Sequence, residues 1–429
     1  MNDREVRKWW RSSLLHDITL LYCVQCARYL LPLVQVPFLA RVLKPTGWGV
    51  MAFAQSFSAY LMLVVEYGFN LSATREVARA IHEWERISEV LAGVMGAKCI
   101  LAAVCILLTV VAQFSVPLFS NDPALLWSAT FAALAQSFSL LWLFQGLNRM
   151  KVVAVLDICT KVAVTIGVFL LIRTPSDAWK VLLIQGVGAW LAVIAGLVLA
   201  YRIIVPIWPT TMSIFKSLRM GWTMFLFRSS VSLYTAGNSF LLGLFAPPQF
   251  VGLFSGAEKI SRAFLGLFEP INQSLFPRLS YLAQHSPSRA QQLARLGVIA
   301  LGGVGMFLTV GVMALAPLLV HVLLGPSFTP AVASLRILAA LMLLVGLSNA
   351  FGIQWMLPLG MDRVFNTIIV SGGALNMLLV VVLAPRYSHI GTAWAVVITE
   401  AFITVSMYLW LHHKGFDPLL RVQGTLESS

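Results

Sequence analysis

The chain reads as an all-α polytopic membrane protein, with about 12 transmembrane helices in two six-helix lobes related by a pseudo-two-fold axis. Three observations predict this. Of 429 residues, 59% are hydrophobic and only 11% charged, with a mean hydropathy of +0.84; a soluble protein carries about a quarter charged residues. Apolar runs long enough to cross a bilayer as a helix, about 18 residues or more, recur from end to end. The two halves of the chain also resemble one another.

The expected spans are 17–40, 49–68, 89–112, 122–146, 152–172, 180–201, 220–245, 250–276, 296–320, 331–357, 364–384 and 390–411. The first follows a basic head, Arg4, Arg7, Lys8 and Arg11, with Trp9 and Trp10 as interface anchors. It is longer than a secretory signal's apolar region and leads into further spans, so it is expected to stay attached. Residues 69–88 read as a short amphipathic helix at the inner surface. The expected organisation is a cytoplasmic segment 1–16, an N-lobe 17–201, a cytoplasmic linker 202–219 holding Pro206 and Pro209, a C-lobe 220–411 and a cytoplasmic tail 412–429.

Charge sets the expected orientation. With the N-terminus inside, eighteen of the thirty Lys and Arg residues fall in inner segments, five in outer loops and seven inside spans. This excess follows the positive-inside rule and places both termini in the cytoplasm. The net charge of +13 is therefore a topology signal. The cations are spread over many short loops, so nucleic acid is not an expected partner.

The internal repeat runs at an offset of 203 residues. Pro45 matches Pro248, Gly49 matches Gly252, Glu66 matches Glu269 and Arg75 matches Arg278. Farther on, Gly146 and Arg149 match Gly360 and Arg363 at an offset of 214. Six spans per half make the repeat parallel. Transporters built this way bind cargo between their halves and rock one against the other.

Seven cations fall inside apolar runs: Arg28, Lys98, Lys161, Arg228, Lys259, Arg262 and Arg336. A charge near the bilayer centre costs about 2.5–3.5 kcal/mol on insertion scales. The use that suggests itself is a cationic cavity for anionic cargo. Asp157 with Lys161, and Glu258 with Arg262, stand four apart on one helix face and could neutralise each other. Glu269 is a further partner for Arg262, and Arg336 could snorkel to the outer surface. Arg28, Lys98 and Arg228 have no acid within four residues, which makes them the foremost cargo candidates. Asp157 and Glu400 are candidates for ion coupling, and Glu66 and Glu269 for gating or packing.

Other chemistry is not indicated. Cys23 and Cys26 form a single C-x-x-C with no second pair, and the seven histidines make no ligand set. No metal, cofactor or catalytic residue is expected, and no P-loop is present.

The stretch Pro37 to Ala78 (PFLARVLKPTGWGVMAFAQSFSAYLMLVVEYGFNLSATREVA), with WLFQGLNRMK at 142–151 and GIQWMLPLGMDRVFN at 352–366, resembles bacterial polysaccharide transporters, the Wzx-type O-antigen flippases. Lys44-Pro45 departs from the Leu-Gly-Pro usual there. The resemblance covers nearly the whole chain and is weaker after about residue 370. It implies membership of the multidrug/oligosaccharidyl-lipid/polysaccharide exporter superfamily, with a V-shaped pair of six-helix lobes. It also implies the cargo, an oligosaccharide on undecaprenyl diphosphate turned from the inner to the outer leaflet of the bacterial cytoplasmic membrane. Membrane lipid, a polysaccharide polymerase and chain-length proteins are the implied partners of a monomer.

Two same-fold alternatives are a cation-coupled drug exporter, which wants an acid-rich aromatic cavity, and a peptidoglycan lipid-intermediate flippase. A polysaccharide polymerase or ligase would want a large outer loop, and the longest outer segments here are about ten residues.

Overall fold

The computed structural model describes residues 3–235 and 237–419, with side chains left undescribed at 3–33 and at several positions within 150–154 and 223–236. The helices are α1 (Asp3–Glu66), α2 (Phe69–Arg79), α3 (Trp84–Ser115), α4 (Pro117–Asn121), α5 (Pro123–Ser137), α6 (Leu141–Gly146), α7 (Met150–Leu171), α8 (Ala178–Tyr201), α9 (Thr211–Thr235), α10 (Asn238–Phe245), α11 (Pro248–Leu265), α12 (Glu269–His285), α13 (Pro287–Leu323), α14 (Ala331–Leu338), α15 (Ala340–Ser348) and α16 (Asp362–His413). No strand occurs among the described residues.

Seven helical stretches of the described residues are long and apolar enough to cross a membrane. Two of them exceed a single crossing and are broken where the outer turns were expected. In α1 the break is at Lys44 (φ 56°), directly before Pro45, which has no N–H to continue the helix. In α16 it is at Ser388 (φ 50°), three residues after Pro385. Other expected spans are interrupted within the apolar run. The run 122–146 breaks between α5 and α6, and 331–357 ends in a π-helical segment, Asn349–Met356.

Lipid-facing character is plain on the outer helices. Phe114, Leu107, Phe307 and Leu191 are largely exposed, as expected where hydrocarbon replaces water around a span. The expected amphipathic helix appears as α2 over 69–79, burying Phe69, Ala73 and Val77. Residues 84–88 instead open α3, and the linker becomes helical from Thr211.

The chain divides into two compact units. Unit 1 holds Met1–Leu43 and Phe57–Arg228; unit 2 holds Lys44–Ser56 and Ser229–Ser429. These differ from the lobes read in the sequence: 44–56 groups with the second half, and 202–228 with the first.

Within unit 1, α5 runs along α8 and α7 along α8, while α2 packs on α6. Its inner core gathers Phe69, Val77, Leu91, Trp142 and Phe144. Within unit 2, α13 packs on α15 with paired small residues, as membrane helices prefer. A Cβ on Gly305 would come 2.6 Å from the Met342 carbonyl, and one on Gly346 2.7 Å from that of Leu301. The unit 2 core is built on Phe268, Phe351, Trp355 and Met356.

The matched glycines of the repeat meet inside unit 2. A Cβ on Gly49 would overlap the Pro248 carbonyl oxygen and lie 2.7 Å from the Gly252 nitrogen. A Cβ on Gly252 would overlap the Pro45 carbonyl oxygen and lie 3.1 Å from the Gly49 nitrogen. The contact is reciprocal between two of the pairs that the sequence repeat matches, Pro45 with Pro248 and Gly49 with Gly252.

Candidate functional site

The seven expected cations separate into distinct environments. Arg28 and Arg228 lie outside the residues whose side chains are described. Lys98 departs from the expectation of a cavity-lining group. It is fully buried on α3, and its ammonium donates to the carbonyl oxygens of Ser137 (2.6 Å) and Ser139 (3.5 Å). The break between α5 and α6 frees carbonyls that have no helical partner. A buried ammonium there satisfies them and complements the negative end of α5. Lys98 lacks a sequence-local acid because its partners are backbone oxygens across the fold.

Both i,i+4 pairs form. Lys161 donates to Asp157 at 2.8 Å with each side chain about one-third exposed. Arg262 donates to one oxygen of Glu258 through Nη2 (2.7 Å) and Nε (3.2 Å). Glu269 instead accepts from Gln273 at 3.0 Å. Arg336 is exposed on α14.

Lys259 is held differently. It stands on α11 one residue from Glu258, with its Nζ 5.2 Å from the centre of the Trp48 ring. Trp48 is itself fixed: it is 1% exposed, its indole N–H donates to Ser255 Oγ at 3.1 Å, and Phe328 meets it edge-on at 6.2 Å. Ser255 and Lys259 are one turn apart on α11, so one indole engages both, by its edge and by its face. Lys259 is exposed. Among the described residues it makes no ion pair. An ammonium seated on an aromatic face keeps its positive field while being positioned.

Four of the acids, all but Glu269, line two cavities. In unit 1, a cavity of about 390 Å³ brings Glu66 and Asp157 together with Asn70, Gln136, Ser139 and Thr160. In unit 2, a smaller one of about 150 Å³ is lined by Glu258, Arg262 and Glu400, with Asn238, Asn376 and Thr399. There the Ser348 hydroxyl donates to Glu400 at 2.6 Å. The side-chain oxygen of Asn376 is buried without a hydrogen-bond partner among the described residues. No group of three or more potential metal ligands occurs among the described residues.

Sequence reasoning missed Trp48, Asn376, Asn70 and Gln136. Trp48 sits in the GWG of the quoted resemblance but carries no charge to flag it. The amides are ordinary polar residues until the fold places them on a cavity wall.

This architecture is that of the multi-pass helical transporters. A structure titled as the inward-facing conformation of a multidrug resistance MATE family transporter of the MOP superfamily superposes with a TM-score of 0.65 at 12% identity, covering 90% of this chain and 98% of that one. One titled as the lipid II flippase MurJ, inward closed conformation, gives 0.68 at 13% identity, covering 92% and 89%. At such identities the likeness is one of fold. The chain belongs to the family described as polysaccharide biosynthesis protein, which it matches over residues 14–283, as the resemblance in the sequence implied. It is 30% identical over 409 residues to a protein of Escherichia coli strain K12 named putative O-antigen transporter, covering 94% of this chain and 98% of that protein. A Shigella dysenteriae protein of the same name is 30% identical over 404 residues, covering 91% and 98%.

Proposed function

We propose that this chain is a flippase that carries an oligosaccharide linked through diphosphate to undecaprenol from the inner to the outer leaflet of the bacterial cytoplasmic membrane, by alternating access. Lys259 is the observation that carries this reading. An accessible ammonium with no carboxylate partner among the described residues, seated on a fixed indole, suits a diphosphate group as a mobile point charge. Arg262, already held by Glu258, offers a second cation three residues on. The names of the relatives and the family support polysaccharide cargo. Both termini are cytoplasmic in this reading, and a polymerase and chain-length proteins receive the product.

Ion coupling is assigned to Glu400. It lines the unit 2 cavity beside the unpartnered oxygen of Asn376, an arrangement suited to a proton or small cation. The drug-exporter reading lacks comparable support, since Lys161 and Arg262 already hold the Asp157 and Glu258 carboxylates.

The experiment is complementation. Expression in a strain lacking its O-antigen transporter restores surface polysaccharide, and Lys259→Ala does not, at equal protein in the membrane. Restoration by Lys259→Ala at the wild-type level overturns the assignment of Lys259.

A further inference from the structure

We infer that the cavity within unit 1 is a subsite for an uncharged sugar ring of the cargo. This rests on the flippase reading and adds a binding site in a place where the sequence pointed only to ion coupling and gating.

The cavity wall is assembled from separate elements. Glu66 closes α1, Asn70 lies in the first turn of α2, Gln136 and Ser139 flank the end of α5, and Asp157 and Thr160 stand one turn apart on α7. Such a set supplies every kind of hydrogen-bonding group: carboxylate acceptors, amides that both donate and accept, and hydroxyls. The amides of Asn70 and Gln136 have no partner within the protein among the described residues. Leu140, Phe144 and Val193 form the apolar part of the wall, suited to the C–H face of a ring.

Charge decides the class of ligand. Asp157 is matched by Lys161 at 2.8 Å. Glu66 lies within electrostatic reach of Lys98, whose ammonium also bonds the Ser139 carbonyl on this same wall. Asp157 is thus paired with an ammonium at hydrogen-bond distance, and Glu66 stands in the field of a second, buried one. A diphosphate placed here would face both acids. An organic cation would find Asp157 already paired with Lys161 and would meet the field of the Lys98 ammonium. A neutral polyhydroxyl ligand meets neither penalty and uses the open amides. The volume, about 390 Å³, falls within the range of small-ligand sites, about 300–1,000 Å³.

Saturation-transfer-difference NMR tests this on the full chain in lipid nanodiscs. The probes are methyl glucoside and N-acetylglucosamine, with inorganic pyrophosphate and tetraphenylphosphonium as charged competitors. The expected result is a saturable sugar signal that neither competitor removes. Gln136→Leu, at an exposed position, lowers it by about tenfold, as loss of one well-made hydrogen bond allows. Ala189→Phe, which fills the cavity, abolishes it at an unchanged thermal midpoint. Absence of any sugar signal, displacement by tetraphenylphosphonium, or full binding by Ala189→Phe overturns the subsite. Leaflet transfer of the lipid-linked oligosaccharide, measured on the same nanodisc preparation after transfer to vesicles, separates the two claims. Transfer without sugar binding sinks the subsite alone, and sugar binding without transfer sinks the flippase reading.

Discussion

Gly49 and Gly252, matched by the internal repeat, cross backbone to backbone within unit 2, and the place each would need for a Cβ is filled by the proline carbonyl at the other's helix start. The repeat is therefore a spatial symmetry at this point as well as a sequence one. Helix starts at Pro45 and Pro248 approach more closely than any side chain permits, as small residues allow in membranes.

Gly49→Ala and Gly252→Ala should each lower stability by about 1–3 kcal/mol, the usual cost of overpacking. Backbone oxygen is the obstacle in both, so no rotamer change relieves it. Because the two share one crossing, the double variant should lose less than the sum. Thermal midpoints from fluorescence-detected gel filtration check both statements.

Trp48 should act through Lys259. Trp48→Phe keeps an aromatic face and loses only the N–H bond to Ser255, a net effect of about 0.5–1.5 kcal/mol, so transport should fall by about two- to tenfold. Trp48→Ala removes the face as well and should approach the Lys259→Ala phenotype. Surface polysaccharide at equal membrane abundance is the readout.

Lys98→Met should impair stability before transport. It leaves the Ser137 and Ser139 carbonyls without their ammonium donor, which costs about 1–3 kcal/mol for a buried polar group. A lower thermal midpoint with near-normal transport per folded molecule is the expected outcome. Normal stability with lost transport would return Lys98 to the cargo path.

The loop between α7 and α8 should be acid-resistant. Asp177 accepts from Lys180 and from the Arg173 and Thr174 backbone N–H groups, which together hold its carboxyl well below the usual range. A lowered folded value means the stabilisation is complete above the ordinary carboxylate value of about 3.9 and is lost as pH falls through the folded value. The gap in thermal midpoint between wild type and Asp177→Asn should stay constant from about pH 8 to 5 and narrow below about pH 4.

Features set by local chemistry were legible in the chain. Apolar runs predicted membrane helices, Lys44-Pro45 marked a break between two spans, and four-residue spacing predicted the Asp157–Lys161 and Glu258–Arg262 pairs. Long-range partners were not legible. The break that gives Lys98 its carbonyl partners falls at 138–140, and no proline or glycine lies between 124 and 145 to signal it. Lys259 and Trp48 are far apart in sequence, and an aromatic face carries no charge pattern to pair with an ammonium. The unit 1 cavity is lined from six helices, so no window of sequence contains it. The repeat was the exception, because symmetry carries spatial information in the sequence itself.

The most direct test of the central claim is leaflet transfer in proteoliposomes containing only this chain and an undecaprenyl-diphosphate-linked oligosaccharide, read by lectin access from one side. Wild type should move the lipid across, and Lys259→Ala should slow it by at least about tenfold, as loss of a charge-assisted contact of about 1.5–3 kcal/mol implies. No transfer by the wild type, or equal transfer by both, would contradict the account.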